Sequence, residues 1–142
     1  MQHLIDLFES VQALEQKGSA LHFASEADRN FVKGGWLELH TMQAFNQAHG
    51  AIGVQDKAIG LEVVHEATGT QNELDIAFLH HNALYVLECK TKNYNNKNEG
   101  QAQNELYKLE TLKKLGGLRT QTAFVSYRAL KAHVRDRAKG PD

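Results

Sequence analysis

Residues 72–91 read NELDIAFLHHNALYVLECKT. Two apolar runs, ELDIAFLH (73–80) and ALYVLECKT (83–91), flank the dipeptide His81-Asn82. A two-residue polar spacer between β-prone runs is the signature of a tight antiparallel hairpin. Pairing about that turn sets Asp75 opposite Glu88 and Glu73 opposite Lys90. Because side chains alternate along a strand, Glu73, Asp75, Ala77 and Leu79 share a face with Leu84, Val86, Glu88 and Lys90. Three carboxylates and one amine thus gather at one end of an otherwise apolar surface. Directly opposed carboxylates about 5 Å apart repel, and such a pair calls for a proton or a cation between them. A hard divalent cation meets that need.

Working outward, residues 51–67 (AIGVQDKAIGLEVVHEA) supply a third strand before the hairpin. After it come a polar loop, NYNNKNEG (93–100), and a helix over 101–115 with Ala102, Leu106, Leu109 and Leu112 inward, stopped by Gly116-Gly117. A strand, TAFVSY (122–127), and a basic helix from Ala129 complete the chain. At the other end, an amphipathic helix is expected from Gln2 to Gln16, with Leu4, Ile5, Phe8, Val11 and Leu14 on one side, ending at Gly18. A short extended stretch, Leu21 to Phe23, leads to Ser25, which caps a helix over 27–49 with Asp28 in the third position. Gly34 and Gly35 interrupt that helix, so its start is expected near Gly35, with Trp36 anchoring it to the core. The fold class is α/β: a mixed sheet flanked by helices, with a parallel crossover through the 101–115 helix.

The second helix brings another carboxylate. Phe31, Met42 and Phe45 lie seven, four and seven positions from Glu38, which places Glu38 on the core-facing stripe. Snorkelling at the stripe's edge or pairing with a lysine would also account for it.

A net charge of -1 argues against binding nucleic acid through overall charge. The distribution is uneven, however, with nine Lys or Arg against three Asp or Glu from Lys108 onward. That stretch is either a phosphate-facing surface or the solvated side of terminal helices. The N-terminus lacks the basic start and continuous apolar core of a signal peptide, and no spanning segment is present, so the expected location is the cytoplasm, away from membranes. The single cysteine, Cys89, excludes an internal disulfide and a zinc knuckle. His65, His80 and His81 lack the spacing of zinc ligands.

Asp75, twelve intervening residues, then Glu88-Cys89-Lys90 resembles the PD-(D/E)xK signature of restriction-endonuclease-like nucleases. Glu38 matches the glutamate that many members carry on the first core helix, and the α-β-β-β-α-β order matches the superfamily core. Leu74 stands where the nominal proline would be, which leaves the metal-binding positions untouched. The wording GGWLE (34–38), NELD (72–75), LECKT (87–91) and LYKLETLKKLGG (106–117) is more specifically similar to the C-terminal nuclease domain of CRISPR ancillary nucleases switched on by cyclic oligoadenylate. The resemblance implies a nuclease domain over 34–142 preceded by a helical extension, 1–33. It further implies a cyclic-oligoadenylate sensor domain that this sequence lacks, so the chain is a fragment, a stand-alone relative or a nuclease governed by another partner. A homodimer is implied by resemblance alone.

The implied chemistry is metal-dependent hydrolysis of phosphodiester bonds in DNA or RNA. Asp75, Glu88 and the Cys89 carbonyl would bind Mg²⁺ or Mn²⁺, and Lys90 would orient or activate water beside the phosphate. Glu38 would act through a metal-bound water or a second metal. Glu73 is either part of the site or a structural partner of Lys90. Gln103 and Tyr107 match a Q-x-x-x-Y element of related nucleases and share a helix face, although packing would also explain Tyr107. The Cys89 thiol points to the opposite strand face and is expected to be a core group. Two other readings fit the same residues: a junction-resolving or DNA-repair nuclease, and a non-catalytic nucleic-acid-binding domain of the same fold.

Overall fold

Helix α1 (Gln2–Ser10) stops short of the expected Gln16. Gln12 is left-handed at φ 59°, and the Ala13 and Gln12 N–H groups donate to the Phe8 and Glu9 carbonyls, each at 2.9 Å. This pair of bonds is a Schellman ending, built here on glutamine instead of glycine. It turns Ala13 and Leu14 inward, where both are buried. A small hairpin follows, β1 (Glu15–Lys17) and β2 (Ala20–His22), so the N-terminal extension is not wholly helical. Leu14 had completed the helical periodicity, but the turn buries it.

Ser25 caps α2 (Glu26–Asn30), its Oγ accepting from the Asp28 N–H at 3.1 Å. The helix does not break at Gly34-Gly35. A wide π turn over Phe31–Gly35 carries α2 directly into α3 (Trp36–Ile52). A π turn inserts one extra residue without ending the helix, and it absorbs the two glycines that the sequence presented as an interruption.

In this computed structural model, which describes residues 2–66, 68–94, 99–115, 117 and 119–139, the main sheet has the order β3 (Asp56–His65), β4 (Thr70–His80), β5 (Ala83–Lys90), β6 (Gln121–Ser126). The β3–β4 and β4–β5 pairs are antiparallel and β5–β6 is parallel, reached through α4 (Glu99–Leu115). The last element among the described residues is α5 (Ala132–Lys139), which starts three residues later than expected. His81 and Asn82 both have positive φ, 48° and 55°, as a two-residue turn matched to strand twist requires. The hairpin register, Ile76↔Leu87 through His80↔Ala83, is the one expected from the sequence. The expected 93–100 loop falls in part on residues 95–98, and the expected glycine stop in part on residue 116, which lie outside the described residues.

Each face of the sheet carries one long helix. Leu37 of α3 packs with Ile76 and Cys89, supported by Trp36 and Met42. On the other face Ala102, Leu106, Leu109 and Leu112 of α4 cover Leu74, Ala77 and Val86, joined by Val134 of α5. Among the described residues, no helix is long and apolar enough to cross a membrane.

The sheet is irregular at one place. The β3–β4 ladder runs from Asp56↔Leu79 to Ile59↔Ile76 and resumes at Leu61↔Leu74, skipping Gly60 and Asp75. The β4–β5 ladder stops at Ile76↔Leu87, so Asp75 lies outside the paired register on both sides. Leu74 and Ala77, three positions apart, consequently pack in one cluster, which regular alternation would forbid. Gly60 meets the distortion with φ +62°. A Gly60→Ala substitution is expected to cost about 1–2 kcal/mol, the penalty of a left-handed alanine. Urea unfolding followed by circular dichroism measures it, and an unchanged midpoint would show that β3 does not need this conformation.

Candidate active site

Where the strands part, the Asp75 carboxylate takes over the work of a backbone carbonyl. Its Oδ2 accepts the Cys89 N–H at 2.7 Å. Lys90 Nζ lies 3.3 Å from the same oxygen and 2.5 Å from Glu88 Oε1. Glu88 is fully buried, at 0% exposure, and receives a second ammonium from α4: Lys108 Nζ is 3.2 Å from Oε1 and 3.4 Å from Oε2. A buried carboxylate is tolerable only when paired in this way. Burial alone would lower the pKa of Lys90. The hydrogen bond and charge of Glu88, followed by the charge of Asp75, outweigh that and hold its pKa above the ordinary lysine value.

The expected Glu73–Lys90 pairing does not form. Glu73 stands opposite Glu62 on β3, because the β4–β5 ladder has already ended when the chain reaches it. Lys90 is drawn instead between Asp75 and Glu88. Glu38, in the first turn of α3, reaches the same region. Its pKa is raised by burial, then by the negative charges of Asp75 and Glu73, while Lys90 opposes the shift. Two contacts tie the helix to the strand end that bears Lys90. Thr91 Oγ1 donates to the Lys33 carbonyl in the π turn at 2.8 Å, and Trp36 meets Tyr127 edge-on at 5.1 Å. Tyr127 in turn donates its N–H to the Lys90 carbonyl at 3.1 Å. Thus Glu38, Asp75, Glu88 and Lys90, singled out from four separate sequence positions, converge.

The α4 contribution was not anticipated. Lys108 flanks the inward stripe Ala102-Leu106-Leu109-Leu112, which brings its stem over the sheet, yet nothing local identifies Glu88 as its partner. Gln103 is half-buried and Tyr107 exposed on the same helix. When ionised, Glu38, Glu73, Asp75 and Glu88 outnumber Lys90 and Lys108 by two charges, the deficit a divalent cation would fill. The donors are all oxygens, as a hard cation prefers. The Asp75 and Glu88 carboxylates are turned toward the ammonium groups, and among the described residues no three His, Cys, Asp or Glu side chains form a ready cage. A cation that took Glu88 as a ligand would displace an ammonium from it.

Comparison with known proteins follows the same lines. The family model described as "Card1-like, endonuclease domain" matches residues 25–140. Among solved structures, the chain is similar to Can2 from Sulfobacillus thermosulfidooxidans in complex with cyclic tetra-adenylate, with TM-score 0.78 and 25% identity, over 94% of this chain and 38% of that one. It is also similar to protein VC1899 from Vibrio cholerae, with TM-score 0.77 and 31% identity, over 97% of this chain and 36% of that one. The chain therefore spans little more than a third of the length of either. The comparison with curated proteins returns no match.

Cys89 sits between Glu88 and Lys90 but faces the α3 side, its Sγ 3.9 Å from Thr41 Oγ1. Burial pushes the thiol up to about 11. At pH 8 the native protein is expected to resist iodoacetamide and to label only when urea unfolds it. Rapid labelling of folded protein, followed by mass spectrometry, would place the thiol outside the core.

Proposed function

Since the chain belongs to the Card1-like endonuclease domain family, we propose that it is the metal-dependent nuclease portion of a CRISPR-associated defence protein, hydrolysing phosphodiester bonds in DNA or RNA in the cytoplasm. The observation that carries this reading is Lys90 held between Asp75 and Glu88 at the point where β4 and β5 separate. Asp75, Glu88 and the Cys89 carbonyl are the groups that would hold Mg²⁺ or Mn²⁺. When bound, the cation supplies Lewis-acid stabilisation of the phosphate oxygens and a lowered pKa for water.

The chain's own residues do the rest. Lys90 carries a permanent positive charge into the site, orients the attacking water and offsets the charge developing on the phosphate. Glu38, whose pKa is raised by burial and the neighbouring acids, would act through a metal-bound water or a second metal. Asp75, bonded to the Cys89 N–H, fixes the geometry of the strand end. Glu73, Gln103 and Tyr107 are assigned to the approach of substrate. Can2 was solved with cyclic tetra-adenylate and is much longer than this chain. We assign control of the present nuclease to a cyclic-oligoadenylate sensor of the same kind, acting on a homodimer.

Supercoiled plasmid, single-stranded DNA and RNA should be cut with Mn²⁺ or Mg²⁺ and spared with EDTA. Lys90→Ala should lower the rate about 10²–10³-fold, the usual cost of removing one electrostatic stabiliser of the transition state, and Glu88→Gln should lower it through loss of a cation ligand. A thermal-shift series supplies a second readout. A cation at a hundred times its Kd should stabilise the wild type by about 2.7 kcal/mol, and Asp75→Asn should abolish that response. Neither cutting nor metal-induced stabilisation in the wild type would leave a nucleic-acid-binding domain as the reading.

A further inference from the structure

Two ammonium groups meet on one fully buried carboxylate, and they are not equivalent. Lys90 is held from two sides, by Asp75 and Glu88, and follows Glu88 on the same strand. Lys108 comes from α4, its side chain is 39% exposed, and Glu88 is its ion-pair partner among the described residues. If a divalent cation is to reach Glu88, Lys108, held by one carboxylate among the described residues where Lys90 is held by two, is the less constrained ammonium.

The structure offers it a destination. Lys108 lines a groove of about 330 Å³ between α4 and the end of the β3–β4 hairpin, together with His65, Thr68, Thr70, Asn72 and Thr111. Thr68 Oγ1 is 3.1 Å from His65 Nδ1 and 2.9 Å from Thr70 Oγ1, so the hydroxyls form a connected row. Threonine hydroxyls, the Asn72 amide and the His65 imidazole line it alongside Leu112, and its exposed wall is largely apolar. This contrasts with the adjoining cluster, where four carboxylates repel any phosphate that is not bridged by a cation. A polyanionic strand leaving the scissile position meets no carboxylate among the described residues lining this groove.

We propose that Lys108 is a phosphate-binding residue whose ammonium is exchanged: it neutralises Glu88 before a divalent cation arrives, then turns into the Thr68–Thr70–Asn72–Thr111 groove to hold a phosphodiester beside the scissile one. This assignment rests on the nuclease reading above. Lys108 is a positioning residue in this scheme, since the scissile phosphate belongs to Lys90.

The test reads binding, not turnover. In the wild type, Ca²⁺ in place of the catalytic cation should strengthen binding of a single-stranded oligonucleotide. It should also steepen the slope of log K against log salt by about 0.7, the value of one added phosphate contact on a single strand. In Lys108→Met and Lys108→Gln, the second of which keeps a neutral donor toward Glu88, that increment should vanish. Lys108→Arg should restore it. Without nucleic acid, calorimetry should find Mn²⁺ bound severalfold more tightly by Lys108→Gln than by the wild type, because the competing ammonium is gone. A wild type that cuts and binds Mn²⁺, but shows the same salt slope with and without Ca²⁺, overturns the exchange and leaves the nuclease standing. So does an unchanged Mn²⁺ affinity in Lys108→Gln. A wild type that neither binds Mn²⁺ nor cuts overturns the nuclease reading itself.

Discussion

The separation of β4 from β5 at Asp75 is the constraint on which the rest of the site depends. A strand that leaves its neighbour exposes backbone donors that must be satisfied elsewhere, and here the Asp75 carboxylate accepts the Cys89 N–H. That bond holds the strand end in a fixed geometry, and the same oxygen lies 3.3 Å from Lys90 Nζ. Gly60 on β3 supplies the matching distortion from the opposite flank. An ordinary ladder would have closed this gap with backbone bonds and set Asp75 and Glu88 face to face.

Charge balance follows from that geometry. Glu88 is buried on the α4 side of the sheet and needs a cation, which Lys90 and Lys108 supply together. Glu38 approaches on the α3 side, where burial and the surrounding acids raise its pKa. The two helices therefore contribute opposite charges to one strand end, and the π turn over Phe31–Gly35 contributes to setting where Glu38 sits along the strand. Its Lys33 carbonyl accepts from Thr91, the residue next to Lys90. A π turn at such a place fits the general association of these turns with functional sites.

Several features were read differently in the sequence for identifiable reasons. The α1 ending at Gln12 has no glycine to announce it, so helical periodicity ran on to Leu14. Gly34-Gly35 looked like a break because glycine lowers helix propensity, whereas tertiary contacts at Trp36 and Thr91 hold the helix through it. A Glu73–Lys90 pairing follows only from extending an ideal ladder past the point where the real one stops.

The sequence by itself determined the hairpin, its register and the convergence of Asp75, Glu88 and Lys90. A two-residue turn at His81-Asn82 leaves strands of alternating side chains no other way to bury their apolar face. It also marked Glu38, through its place on an apolar helical stripe. The tertiary structure decided which ammonium meets which carboxylate. Lys108 lies 20 positions from Glu88, and only the crossover of α4 over the parted strands brings the two into contact. Local spacing encodes neighbours along one strand or helix, whereas a charge pair between elements depends on how those elements are laid over one another, and that is fixed only when the core closes.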